Sequence, residues 1–525
     1  MAGQALDFRD RQAAFDAVDG QAFDLIVIGG GVTGAGVARD AAMRGLSVAL
    51  VEARDFASGT SSRSSKMIHG GLRYMAQGDL ALVQEAASER KAVERVAPHL
   101  TRQTPFVIPA KNAAVLAKLR AGMWAFEKLG GVPKDRHHEV WSKRDLIARE
   151  PALDAHDLSG AVAYPEYLTD DARLTLANVR SAAAHGAVVF SYAPVRSLIV
   201  REGRAAGVVV GDGLEGVEAR LRIHAKVIVN AAGPWVDALR ALEDPTAPTR
   251  LKLSKGVHLV VPASRLPVSR TIIMPAADRR SVFAVPKGDM TYLGTTDTFY
   301  PDADYWPRIE GADIDYLLAA SAARFNIAPL TRADIVSAWS GVRPLVAEEG
   351  KSASEISRKD EVWTGPAGVL SIAGGKLTAY RKMAERVVDL VEQALDRKPT
   401  ASPTETEPLV GGDLDVAALM ATLGAEGPRL VGLYGSEAPM IAEAGGGPAV
   451  EARHAVLNEG ALTLEDYWVR RSARAWFDAD GGLAALAPAA QAMASLLAWS
   501  PAEIEKQIEA CRAVRAANLA ALETA

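Results

Sequence analysis

The chain has 525 residues, 49% of them hydrophobic and 23% charged, with a formal net charge of −5. That length exceeds one compact core and implies two or three domains. The mild negative charge excludes a global basic field and, with it, nucleic acid as a partner.

One cysteine, Cys511, excludes an internal disulfide framework, a Cys-ligated iron–sulfur cluster and a Cys-rich zinc site. No metal is expected, and cytoplasmic exposure is the default expectation. The opening MAGQALDFRDRQAAFD carries charges throughout and has no apolar centre, so no secretory signal is read there. Residues 1–20 read as a loosely held leader. No run reaches about 18 uninterrupted apolar residues, so any membrane contact is peripheral.

Asp24 to Ile28 is a short apolar run, expected as a buried strand. Gly29, Gly31 and Gly34 follow as G-x-G-x-x-G and open a helix that ends near Arg44, with Gly45 as its C-cap. Ser47 to Val51 reads as a second, parallel strand ending in Glu52. Such glycines permit a tight turn, a close approach of backbone to a pyrophosphate and close helix packing; the acid about twenty residues on accepts ribose hydroxyls. The helix N-terminus directs free N–H groups at the phosphates. Glu52 argues against a 2′-phosphate, although the nearby Arg54 leaves NADP open.

The polar run Ser58 to Lys66, SGTSSRSSK, leaves the carboxyl end of the second strand, where open α/β sheets place their ligands. Its hydroxyls and Lys66 are expected at a pyrophosphate or ribityl chain. His69-Gly70-Gly71 would let backbone lie close to a flat ring, with Arg73 beside it for an anion. Asp79 to Val96 and Ala113 to Leu129 have helical apolar spacing. The second places Val115, Leu119, Met123 and Phe126 on one face near Lys118, Arg120 and Lys128. That face suits either a membrane interface or the core of its own domain.

Asp170 is a plausible N-cap for a helix running to about His185. Strands are expected at Ala187–Ser191, Val195–Val200, Gly207–Val210 and Lys226–Val229, the last leading into Asn230-Ala231-Ala232-Gly233. Leu251–Pro262 and Ser281–Asp297, with a turn at Lys287-Gly288-Asp289, read as strands of a second, antiparallel sheet. Ile335–Leu345 contains Arg343. Val369–Ile372 enters Gly374-Gly375-Lys376-Leu377-Thr378 and a helix to about Leu395, a second strand–glycine–helix junction. Pro399–Pro408 reads as a linker, and Ala417 to Ala525 as a separate helical domain. Gly445-Gly446-Gly447 follows no strand and is a loop. With no second nucleotide domain to deliver electrons from NAD(P)H, the substrate is expected to reduce the bound dinucleotide directly.

GGGVTGAG, TSSRSSKMIHGGLRY, DDARLTLAN, NAAGPW, KGVHLVVP, GTTD, SGVRPL and GGKLTAYRKMAE occur in this order. They resemble the FAD-dependent glycerol-3-phosphate dehydrogenases from Phe23 to Glu385, and more weakly through DYWVRR into the C-terminal region. The aerobic, respiratory-chain form is the closer likeness. The resemblance implies an α/β fold with a glutathione-reductase-like, discontinuous FAD-binding Rossmann domain, an antiparallel β-sheet substrate domain and an α-helical C-terminal domain. The expected boundaries are 20–92, 165–245 and 339–398 for the FAD domain, 93–164 and 246–338 for the substrate domain, and 408–525 for the helices.

It also implies oxidation of sn-glycerol 3-phosphate to dihydroxyacetone phosphate, with electrons leaving through FAD to ubiquinone. The expected form is a homodimer held peripherally on the cytoplasmic face of the inner membrane. Pyrophosphate contacts fall to Gly29, Gly31 and Gly34, and the adenosine ribose to Glu52. Thr60, Ser61, Ser65 and Lys66 are placed at phosphate or ribityl groups, and Gly233, Gly375, Leu377 and Thr378 approach from later strands.

Arg73 and Arg343 suit the substrate phosphate because a planar guanidinium binds two oxygens at once. Lys376 serves the phosphate or the charge of reduced flavin. His258 is the favoured base and His69 its competitor, more suited to positioning the flavin. Thr296 and Asp297 line the substrate domain without a role. Competing readings are an oxidase that releases hydrogen peroxide, an amino-acid-oxidase relative, and a non-catalytic flavin-stabilised binding protein.

Overall fold

The computed structural model describes residues 5–523 apart from 70–79, 279, 349, 351–355 and 357–358, and omits the side chains at 80, 218 and 219. Arg73, and Gly70 and Gly71 beside it, lie outside the described residues.

Two sheets dominate. The first runs in the order Asp360–Thr364, Leu370–Gly374, Val217–Asn230, Ala22–Ile28, Val48–Val51, Val188–Phe190. All its neighbours along this path are parallel except the Asp360–Thr364 edge. Its central strand reads as a continuous apolar run because both faces are covered: Leu25, Ile26 and Val27 have no exposed surface. The helices Val32–Met43, Asp171–Ala184 and Tyr380–Ala394 cover one face. Asp170 caps the second of these, accepting the Arg173 N–H. The hairpin Val195–Arg201/Arg204–Asp212 continues from the long strand Val217–Asn230.

The second sheet contains Leu251–Pro262, Met290–Gly294 and Ser281–Lys287, in that spatial order. It is antiparallel with one exception, Thr271–Pro275 lying parallel to Thr101–Ala110 (Thr271 opposite Phe106). Thr101–Ala110 and Gly160–Thr169 form one of its long ladders, and no strand was expected over either. Both carry a proline, which normally argues against a paired strand. Here Pro105 lies opposite Pro165, so two of the three missing donors fall on one rung, and the third, Pro109, stands opposite Ala161 near the strand end.

Residues 11–18 are no loose leader. Arg11–Val18 is a helix whose Phe15 is buried against Phe190, with ring centroids 4.9 Å apart, and Arg11 pairs with Asp212 at 3.1 Å. The C-terminal region is helical as expected, and its Asp466–Arg471 stretch forms a π-helical turn. It is no free-standing body, since Trp476 O accepts the Ser337 hydroxyl of the second sheet at 2.7 Å. The linker before it is strapped down. Arg39 donates to Glu407 O at 2.7 Å, Arg44 to Thr400 O at 2.8 Å, and Ser402 to Asp40 at 2.6 Å.

Among the described residues, no helix is long and apolar enough to cross a membrane.

Candidate active site

A cavity of about 1890 Å³ lies between the carboxyl ends of the parallel strands and the second sheet. Gly29, Gly31, Glu52, Thr60, Ser61 and Ser65 line it. So do Gly233, His69, Arg343 and the run Gly375 to Thr378.

The first glycine turn is sterically fixed. Gly29 has φ 109°, and a Cβ there would sit 2.6 Å from Ala231 O. A Cβ on Gly34 would strike the Gly29 carbonyl. Glu52 closes the turn: its carboxylate accepts the Gly30 N–H at 2.6 Å and the Arg54 N–H at 2.9 Å. Burial pushes the Glu52 carboxyl up, against those two N–H donors.

The polar run after Glu52 is used mostly to hold itself in place. Ser61 Oγ accepts the Val32 N–H at 2.9 Å, capping the helix, and Thr60 Oγ1 donates to Val342 O at 2.6 Å. Lys66 departs from expectation. It is absent from the cavity wall; its ammonium is buried, 2.5 Å from Asp171 Oδ1 and 3.1 Å from Ser62 O. A buried ammonium needs a carboxylate, and the N-terminus of the Asp171–Ala184 helix supplies it.

The second glycine turn faces the first. Gly374 and Gly375 have φ 80° and 77°, and a Cβ on Gly375 would run into the Met383 sulfur. Thr378 Oγ1 accepts the His69 N–H at 3.2 Å, so His69 is pinned to this turn. Two glycine turns, each at the start of a helix and each closed to any Cβ, fit a dinucleotide brought close to backbone N–H groups. The residues present therefore fit FAD.

The opposite wall is cationic. Arg343 donates to Thr295 Oγ1 at 3.0 Å and to Thr296 O and Asp297 Oδ1 at 3.3 Å. Arg280, which the sequence reading passed over, donates to Asp297 O at 2.7 Å and also lines the cavity. Arg63 was visible only as a charge in a polar run. It is buried in the wall over Trp306 at 3.8 Å, and burial lowers its pKa to about 10.

His258 also departs from expectation. It is 1% exposed and stands behind the wall, stacked on Trp339 with centroids 4.7 Å apart. Its Nε2 lies 2.9 Å from Ser65 Oγ, and Ser65 is the residue that reaches the cavity. Burial, then the charges of Arg343 and Lys66, hold the imidazole pKa well below its ordinary value. No alternation marks which face His258 takes, because KGVHLVV is buried on both faces.

Residues 24–381 match the family described as FAD dependent oxidoreductase, and residues 402–504 match the C-terminal domain of alpha-glycerophosphate oxidase. The aerobic glycerol-3-phosphate dehydrogenase of Bacillus subtilis (strain 168) is 38% identical over 489 residues, covering 87% of this chain and 88% of that protein. Its namesake in Staphylococcus aureus (strain USA300) is 38% identical over 520 residues, 93% of each chain. The X-ray structure of glycerol-3-phosphate dehydrogenase from Bacillus halodurans complexed with FAD superposes with a TM-score of 0.81 at 34% identity, covering 99% of both chains. The chain belongs to the FAD-dependent oxidoreductases and, within them, to the family of the aerobic glycerol-3-phosphate dehydrogenases.

Proposed function

We propose that the protein oxidises sn-glycerol 3-phosphate to dihydroxyacetone phosphate and passes the electrons to membrane ubiquinone. The observation that carries this reading is one cavity walled by two glycine turns on one side and by Arg343 and Lys376 among its cations. Bound FAD supplies the two-electron acceptor for the hydride from C2. Gly29, Gly31, Gly34 and Glu52 hold its adenosine and pyrophosphate end. Gly233, Gly375, Leu377 and Thr378 approach from the later strands, and Thr60, Ser61 and Ser65 shape the loop between.

Arg343, with Arg73 and Lys376, takes the substrate phosphate. The fork of Arg343 is held by Thr295 and Asp297, so little ordering remains for binding. The C2 hydroxyl proton passes to Ser65 Oγ as the Ser65 proton passes to Nε2 of His258, with the resting imidazole proton on Nδ1. The 2.9 Å contact between Ser65 Oγ and Nε2 supports this relay, and the resting imidazole is neutral. Phe106, Phe283 and Met123 line the same cavity and exclude water, which strengthens the cationic wall.

The Ala113–Leu129 helix supports a peripheral membrane contact beside the cavity. Met123 and Phe126 are spent on the protein core, whereas Trp124 is 60% exposed and Val115 39%. Val115, Lys118 and Leu119 also line the cavity, which suits entry of an apolar quinone from a lipid surface.

The test is anaerobic addition of sn-glycerol 3-phosphate to the FAD-loaded protein while the visible flavin band is followed. Bleaching, reversed far faster by a ubiquinone analogue than by oxygen, is expected. Rapid reversal by oxygen with peroxide formed would make the protein an oxidase, and no bleaching would remove the substrate assignment.

A further inference from the structure

We infer that the helical C-terminal region is a positioning element for the cofactor: the buried knot that Arg470 and Arg471 tie around Asp55 holds the Glu52–Ala57 turn in its binding shape. This rests on the assignment of that turn to the adenosine end of FAD.

The turn grips the glycine loop from two sides. Glu52 accepts the Gly30 N–H at 2.6 Å, and the Ala57 N–H donates to Gly30 O at 3.0 Å. Between them stands Asp55, fully buried. Arg471 binds it with both terminal nitrogens, at 2.6 and 2.8 Å, and Arg470 Nε adds a third contact at 2.5 Å. The helical region reaches the same turn by two further routes. Tyr192 donates its N–H to Arg54 O at 2.8 Å and its hydroxyl to Asp466 at 2.7 Å. The Arg54 guanidinium lies 4.0 Å over the Tyr305 ring, whose hydroxyl donates to Glu465 at 2.7 Å and accepts from Arg470 at 3.0 Å. Arg54 and Tyr305 both line the cavity.

Stability alone does not account for the knot. Asp55, Asp466, Arg470 and Arg471 are each at most 1% exposed, and buried ion pairs roughly break even against well-packed apolar residues. What such a network does supply is one fixed geometry, and the geometry fixed here is that of a turn beside the cofactor cradle. It forms at a π-helical turn, a backbone irregularity that accumulates at functional positions.

The test is the FAD dissociation constant of the FAD-depleted full-length protein, read by flavin fluorescence, with circular dichroism for the fold. Arg471→Lys keeps the charge and loses the two-pronged contact. Affinity is expected to fall by about tenfold, the fold-change of one charged hydrogen bond, with KM for sn-glycerol 3-phosphate unchanged at saturating FAD. Glu52→Ala is the reference for the turn and is expected to weaken FAD similarly. Arg474→Lys, which disturbs contacts to Glu451 and Asp478 inside the helical region, is the control and should leave FAD affinity alone. If Arg471→Lys stays within about twofold of wild type while Glu52→Ala weakens FAD, the knot is not a positioning device. If neither weakens FAD, the turn assignment itself fails. An equal loss from Arg474→Lys would reduce the effect to general loosening and overturn the inference. Should Arg471→Lys not fold, Glu465→Gln, which releases Arg470 and Tyr305, decides by the same constant.

Discussion

The guanidinium of Arg343 occupies the space that a side chain on Gly256 would need. Gly256 sits directly across the ladder from Gly341, so the strand pair is bare where the arginine folds over it. Gly256→Ala is therefore expected to displace Arg343 while leaving its charge intact. KM for sn-glycerol 3-phosphate should rise by about tenfold and kcat fall less, because the phosphate contact is made in the ground state and the transition state alike. Steady-state kinetics at saturating FAD measure this, and Arg343→Lys should give the same signature.

Ser65→Ala removes the hydroxyl between His258 and the cavity. A drop in kcat of about a hundredfold is expected, the usual size for losing a positioned proton acceptor, with KM little changed. Because the His258 pKa is held well below its ordinary value, kcat should show no protonation step between pH 6 and 8 from this residue. An inflection near the ordinary histidine pKa that disappears in His258→Asn would contradict a neutral resting imidazole.

His99 sets an acid limit on stability. Burial, then the nearby Arg173 charge, lowers its pKa from 6.5 to about 3. The folded protein thus refuses a proton that the unfolded chain accepts below the ordinary value. The stability is complete above that value and is lost as pH falls toward about 3. Between pH 7 and 5 the loss is about 2 kcal/mol. His454 runs the other way: beside Glu437 and Glu459 its pKa is raised, so its contribution is present at low pH and lost as pH rises. Denaturant titrations of wild type and His99→Phe at both pH values isolate His99, since the His454 trend is common to the two proteins.

Trp124→Ala should weaken binding to anionic vesicles by about tenfold, the loss of one interfacial aromatic anchor. Met123 and Phe126 still hold the helix to the core, so turnover with a water-soluble acceptor should persist. Vesicle co-sedimentation and a dye-linked assay separate the two. Unaltered sedimentation would place the membrane contact elsewhere.

What was legible in the sequence were the elements whose residues act locally. Gly29, Gly31, Gly34 and Glu52 announce themselves because a turn, a helix start and an acid must recur at fixed spacing. The Ala113–Leu129 helix was legible in its apolar spacing and Leu251–Pro262 in its run of β-forming residues, and both have the expected bounds. The strands at Pro105 and Pro165 were hidden because proline argues against a paired strand, and only the folded register sets the two opposite each other. Lys66 was misplaced, and the reach of His258 through Ser65 missed, for a related reason. Residue type shows what a side chain is able to bind, whereas the partners that claim it, Asp171 and Ser65, come from distant stretches of chain.

The two glycine turns that wall one side of the cavity come from opposite ends of the oxidoreductase portion, Gly29 early and Gly374–Thr378 late. A nascent chain on the ribosome therefore carries half a cofactor seat for most of its synthesis. Strands for both sheets emerge interleaved, and the second sheet has its last strand, Ser337–Val346, before the first gains Asp360–Thr364 and Leu370–Gly374. The cofactor seat is complete only once Gly374–Thr378 has been made, and a chain cut before it lacks the second turn.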